Sequence, residues 1–240
     1  MINIAASLCL AILISAIFML LSVSGFIAIP FGLVGGFVLF FFLGRKIQEK
    51  MEILMAQMQK DVAENKFDRA IETLKRGFAF SKRHIFVAAQ LNSQIGVLYY
   101  LKKDHDKSME YLKKGFLKHY VGQGMLACIY YKRKDMENMK STMEDTIKGN
   151  RKEAMVYGLY AYLVYQLKEK DKAIEILQNG LKKLPKDTRL QANLTQLQNN
   201  KKMKMKVFGD AWVQFMLERP PRVMQNQPPH ARMSKRAMFR

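Results

Sequence analysis

Tyr99-Tyr100-Leu101-Lys102-Lys103-Asp104 leads on to Ser108 and Leu112, and the same plan is written twice more. Tyr130-Tyr131-Lys132-Arg133-Lys134-Asp135 leads to Met139 and Met143, and Val164-Tyr165-Gln166-Leu167 leads to Ala173, Leu177 and Pro185. Each copy reads as a helix, a tight polar break and a second helix. Apolar residues recur three and four apart on both sides of a break that carries almost none. One such hairpin cannot bury its apolar face alone, so copies stack and share a core. Small or slim residues are expected where paired helices come closest: Ala70, Ser108, Met139 and Ala173, spaced 38, 31 and 34 residues apart. Four residues after each stands an apolar one: Leu74, Leu112, Met143 and Leu177.

Ile95-Gly96-x2-Tyr99 and Ala173-x3-Leu177 with Pro185 give the pattern its closest likeness. It resembles the tetratricopeptide repeat family, whose unit of about 34 residues carries L-G-x2-Y, then A-x3-F, then a closing Pro. The resemblance covers about residues 51 to 200. Ser108 and Met139 depart from the small Ala, and a single closing Pro is present. The resemblance implies an α-solenoid over residues 45–200, of about four repeats plus a capping helix. It also implies a concave face, lined by the first helix of each repeat, that binds protein partners.

Tyr99 and Tyr130 stand where the family has its core aromatic. Tyr100 and Tyr131 follow them, Tyr165 holds the equivalent place in the next repeat, and Lys132 lies beside them. These four are the candidate partner-binding residues of the groove. Tyrosine suits recognition, with a large apolar body and a hydroxyl for orientation. The same spacing also suits tyrosines that fill the core between helices. Val97, Cys128 and Tyr162 stand where the family's carboxylate clamp needs Asn, so that specificity is not expected.

Charge divides the chain. Residues 1 to 44 carry no charged side chain, whereas residues 51 to 200 hold 27 basic and 17 acidic ones, and residues 201 to 240 hold 10 and 2. As one helix, residues 1–44 would be roughly twice the length of a hydrocarbon core about 30 Å thick. Two transmembrane helices fit better, Ile4 to Val23 and Phe26 to Leu43, with Ser24-Gly25 and Pro30 as breakers. Ser7, Ala11 and Ser15 on the first, and Gly32-x3-Gly36 on the second, would let the two pack closely. A cleaved signal peptide fits poorly, because no basic residue precedes the apolar run. Arg45, Lys46 and Lys50 follow at once and keep the repeat domain in the cytoplasm, on the inner face of a bacterial inner membrane. Ile47 to Val62 continue at helical spacing, so the second span should run into the first repeat, with Gly44 as the hinge.

Residues 201–240 form a basic tail. Lys201 to Lys206 alternate with Met, and a short amphipathic helix is expected over 208–218. Asp210 is its N-cap, and Phe208, Trp212 and Phe215 share one face as a candidate docking surface. That helix could cap the solenoid, lie in the membrane interface, or be a ligand for another protein. The remainder is Pro-, Gln- and Arg-rich and is expected to be disordered.

The expected fold class is therefore all-α. No catalytic constellation, metal-ligand spacing or phosphate-binding loop is present, and the two cysteines lack partners, so neither enzyme activity nor a cofactor is expected. His84, His105, His119 and His230 read as solvated or facing helix ends. The function expected is a membrane-anchored scaffold that binds proteins through the groove, in assembly of a cell-envelope or secretion complex. The alternative is an anionic-lipid or nucleic-acid binder working through its basic surface. Nucleic acid is the weaker reading, since the basic residues are interleaved with acids and no reading motif appears.

Overall fold

The computed structural model describes residues 2–22, 24–82 and 86–218. Among these the regular structure is entirely helical. His84, His230 and the tail expected to be disordered lie outside the described residues. The chain forms two compact units. One comprises residues up to Val62 with Lys66–Leu91, and the other Ala63–Asn65 with residues from Asn92 onward.

In the first unit, α1 (Ile2–Leu20) ends in a turn where Ser22 is left-handed, and α2 (Gly25–Ala63) returns antiparallel to it. Pro30 and Gly44 both lie inside α2 rather than breaking it. The apolar repeat continues past both positions. The small residues act as expected. A Cβ on Gly36 would sit 2.6 Å from the Ser7 carbonyl oxygen, and one on Gly32 would strike the Ala11 backbone and the Ser15 side chain. Both serines donate to carbonyls one turn back, Asn3 and Ala11, so their polarity is used within α1. Further along, Asp61 is buried at the end of α2. It accepts from Gln57 and from Thr73 on α3 (Phe67–Arg76), and Arg69 lies 3.5 Å away. Ala70 and Leu74 are sealed completely. A 3-10 turn, Gly77–Phe80, follows.

The second unit is a stack of helical hairpins. It takes up α4 (Val87–Leu101) from Asn92, then α5 (His105–Lys113), α6 (Tyr120–Lys132), α7 (Met136–Gly149), α8 (Ala154–Gln166), α9 (Lys170–Lys183) and α10 (Thr188–Gln198). One device makes each hairpin. Lys103, Lys134 and Lys168 are left-handed, at φ 64°, 60° and 65°. Around them the amide of the next residue donates five residues back: Asp104 to Tyr99, Asp135 to Tyr130 and Glu169 to Val164. The lysine amides donate to Tyr100, Tyr131 and Tyr165. This is the Schellman closure of a helix C-terminus. Asp104 and Asp135 then cap the following helix, accepting from the amides of Lys107 and Asn138. A stop and a start within four residues fold the two helices back on each other.

Packing then divides the helices into two layers. The second helices, α5, α7 and α9, bury one face, through Ser108, Leu112, Met139, Met143, Ala173 and Leu177, all without exposure. Ser108 fits because its hydroxyl donates to the Gly96 carbonyl at 2.9 Å. The first helices α6 and α8 are buried all round: every residue of Tyr120–Tyr130 in α6 and of Ala154–Val164 in α8. Neighbouring hairpins cover part of each helix. The rest is covered by the C-terminal segment.

Candidate functional site

The inner helices α4, α6 and α8 line a groove, and residues 203–217 fill it. The segment enters extended. Met203 and Met205 point in and are buried, while Lys202, Lys204 and Lys206 point out and are exposed. A 3-10 turn, Met205–Phe208, carries Phe208 onto α8, where the glycine at position 158 makes room. A Cβ there would lie 2.5 Å from the Phe208 ring. The Arg189 guanidinium lies 5.3 Å over the same ring. Gly209, at φ 60° and ψ −142°, turns the chain in a region open to glycine almost alone. The helix expected over 208–218 is cut short there. What forms is α11 (Asp210–Val213), capped at Gly209 rather than Asp210, followed by a turn.

Trp212 meets Tyr162 edge-on at 4.8 Å, and Phe215 lies over Gly124, where a Cβ would be 2.7 Å from its ring. Phe208, Trp212 and Phe215 are all buried, at 6%, 4% and 0% exposure. Sequence reasoning singled out these three residues, but not the groove as their seat. The expected cap on the last helix becomes a strap along the inner face. The glycines were the missed signal. Gly124 and Gly158 stand 34 residues apart inside apolar helices, where glycine costs helix stability.

Polar contacts fix the strap at both ends. The Lys204 amide donates to Asn193 Oδ1 at 2.7 Å, and the Tyr100 hydroxyl donates to the Phe215 carbonyl at 2.5 Å. Trp212 Nε1 donates to Glu218 at 3.1 Å, and Glu218 also bonds the Tyr162 hydroxyl, whose pKa is raised by burial first and by that carboxylate second. Tyr100 is thus on the groove floor but closed off, with no exposed surface. Burial pushes its hydroxyl far up, and it pushes the neighbouring Cys128 thiol up to about 12, so neither ionises near neutrality. Lys132 lies 5.3 Å over the Tyr100 ring, whereas Tyr131 and Tyr165 are half-buried against the same core. Of the four predicted groove residues, the structure brings Tyr100 and Lys132 together and leaves Tyr131 and Tyr165 partly open.

His119 faces a helix end, as expected, but is not solvated. It is buried, it is the N-cap of α6, and its Nδ1 accepts from the Gly122 amide at 3.1 Å. Burial lowers its pKa to about 4. His105 opens α5, half-buried. Among the described residues no cluster of His, Cys, Asp or Glu is placed to hold a metal ion.

Antiparallel helix pairs with a peptide strand along their inner face define a helical-hairpin repeat domain. No family model matches the chain, and no curated protein matches it. Among solved structures it is similar to one described as "Crystal structure of MamA protein", at 18% identity and a TM-score of 0.49, covering 70% of this chain and 89% of that one. It is also similar to one described as "MamA RS-1 ArsTM double mutant", at 14% identity and a TM-score of 0.47, covering 69% and 92%.

Proposed function

We propose that the chain is a tetratricopeptide-like protein-binding scaffold, tethered to a membrane through α1 and the first half of α2, with the hairpin stack in the cytoplasm. The groove carries this reading, because it already holds a peptide segment by its aromatic side chains and its backbone. Assembly of a cell-envelope or secretion complex is the role such a tethered scaffold serves. The membrane part is supported by length and composition. Both helices are long and apolar enough to cross, and Ile12, Leu20, Phe26 and Phe37 among others are exposed.

A photo-crosslinker replacing Tyr131, at the half-open rim, tests the scaffold in the native host. A discrete protein adduct is expected. Intramolecular adducts alone would sink the reading. The anionic-lipid alternative draws on one observation, the outward row of Lys202, Lys204 and Lys206. Flotation with anionic vesicles tests it. Exchanging the three lysines for Gln should then cut binding by about 1 kcal/mol each. Unchanged flotation would exclude it.

A further inference from the structure

The strap is held as a peptide ligand is held. Asn193 and Tyr100, both fully buried, bond its main chain near the two ends, which recognises a backbone whatever its side chains. Between them, Phe208, Trp212 and Phe215 enter three separate seats, on Gly158, Tyr162 and Gly124. Glu218 closes the far end through Trp212 and Tyr162.

The geometry points to Met203–Glu218 being a displaceable ligand in cis. Its competitor is a segment of a separate protein with an aromatic side chain at the first, fifth and eighth positions and a carboxylate at the eleventh. This rests on the scaffold reading. Two features make the strap a replaceable occupant. Among the described residues it is the last segment of the chain, so no later element packs over it. Its fit is also imperfect, since Met216, directly after Phe215, is held at φ 50°. A ligand with glycine there adopts that conformation without the Cβ clash. A second copy of this chain is the poorer competitor. Its strap would make the same contacts yet face a tethered rival joined to α10 by only Asn199–Lys202, at an effective concentration on the order of millimolar.

The experiment uses the full chain in detergent micelles, with a protease site inserted between the exposed residues Asn200 and Lys201. The probe is a fluorescent peptide of residues 203–218, read by anisotropy. Uncut chain should bind it weakly. Cutting removes the tether and should tighten the apparent affinity roughly 100-fold. A Met216→Gly peptide should bind about threefold tighter than the natural sequence. Gly158→Leu, which fills the Phe208 seat, should abolish binding. If that variant does not fold, the cut wild-type chain still decides.

A cut chain that keeps its strap and takes up no peptide overturns the proposal, and so does loss of helical circular dichroism when the strap departs. A concentration-dependent dimer dispersed by the peptide would make a second copy the occupant and overturn the separate partner. The Tyr131 adduct separates the two readings. If exchange fails and the adduct persists, the scaffold stands without a displaceable strap. If both fail, neither stands.

Discussion

Helices α1 and α8 are both apolar almost throughout, yet they meet opposite surroundings. From Ala154 to Val164 every residue of α8 is buried. In α1 and the start of α2, Ile12 is 69% exposed, Leu20 85% and Phe26 92%. A helix that is apolar all round needs a non-aqueous environment on every side. For α8 the protein supplies it, through neighbouring hairpins and the strap. For α1 and the start of α2 the described protein supplies it on the small-residue seam between them and leaves most of the rest uncovered. Apolar composition alone does not distinguish these cases. The glycines do: Gly32 and Gly36 bring two helices together, whereas Gly124 and Gly158 seat aromatic rings from a distant segment.

The contrast breaks most visibly at Phe37, which is 69% exposed on α2. If lipid covers it, Phe37→Arg should cost about 3 kcal/mol of insertion, since arginine is that unfavourable at a span's centre. Membrane integration, scored by resistance to alkaline extraction, should fall. Full retention of the variant in the membrane would mean that this face does not meet lipid.

Acid sharpens the comparison from the other side. His119 caps the dry inner layer and has a folded pKa of about 4, below the ordinary imidazole value near 6.5. Between those values the unfolded chain binds the extra proton, so stability rises with pH across the window and is lost as pH falls from 6.5 toward 4. The loss at pH 5 should be about 2 kcal/mol. Residues 1 to 44 carry no charged side chain, so α1 and the start of α2 should be indifferent. Chemical denaturation at pH 7 and pH 5 measures the difference. His119→Gln should flatten it, and an equally steep profile in that variant would assign the acid sensitivity elsewhere.

The strap's share in burying the inner layer is tested by Tyr100→Phe. The ring stays, but the Phe215 carbonyl loses its donor in a buried site. Unmet buried acceptors cost on the order of 1–3 kcal/mol, so a loss of about 1.5 kcal/mol in unfolding free energy is expected. Tyr131→Phe, half-exposed at the rim, should stay within about 0.5 kcal/mol of wild type. Equal effects at the two sites would mean that the strap bond contributes nothing.

The hairpin stack was legible because its signal is periodic. Ala70, Ser108, Met139 and Ala173, and the apolar residues four further on, share the helical spacing, and all eight are fully buried. The seam between α1 and α2 was legible for the same reason, as small residues four apart. The groove was less so. Spacing places Tyr100 on a helix face, but whether that face is open depends on a segment more than 100 residues away in sequence. The aromatics at 208, 212 and 215 were visible, yet an amphipathic pattern does not say what it packs against. Gly209 lies within the span of the expected helix, and its left-handed turn replaces most of it. A position at a helix end says nothing about burial, and His119 is buried there.

The hairpin turns were legible as polar breaks but not as left-handed closures, because lysine occupies the place where glycine is the usual signal. Lys103, Lys134 and Lys168 all accept a conformation that costs a residue with a Cβ roughly 1 kcal/mol or more. Replacing Lys134 by Gly removes that clash but gives back part of the gain through the unfolded chain's extra freedom. A net stabilisation of about 0.5 kcal/mol is expected, the smallest effect here and the one opposite in sign. The same change at Lys132, the last residue of α6, should destabilise, since glycine inside a helix loses to lysine. Thermal unfolding of the two variants side by side isolates the turn from the loss of a surface charge, which both share. If both destabilise alike, the left-handed residue is not under strain, and the first two hairpins owe their sharpness to the Asp104 and Asp135 caps.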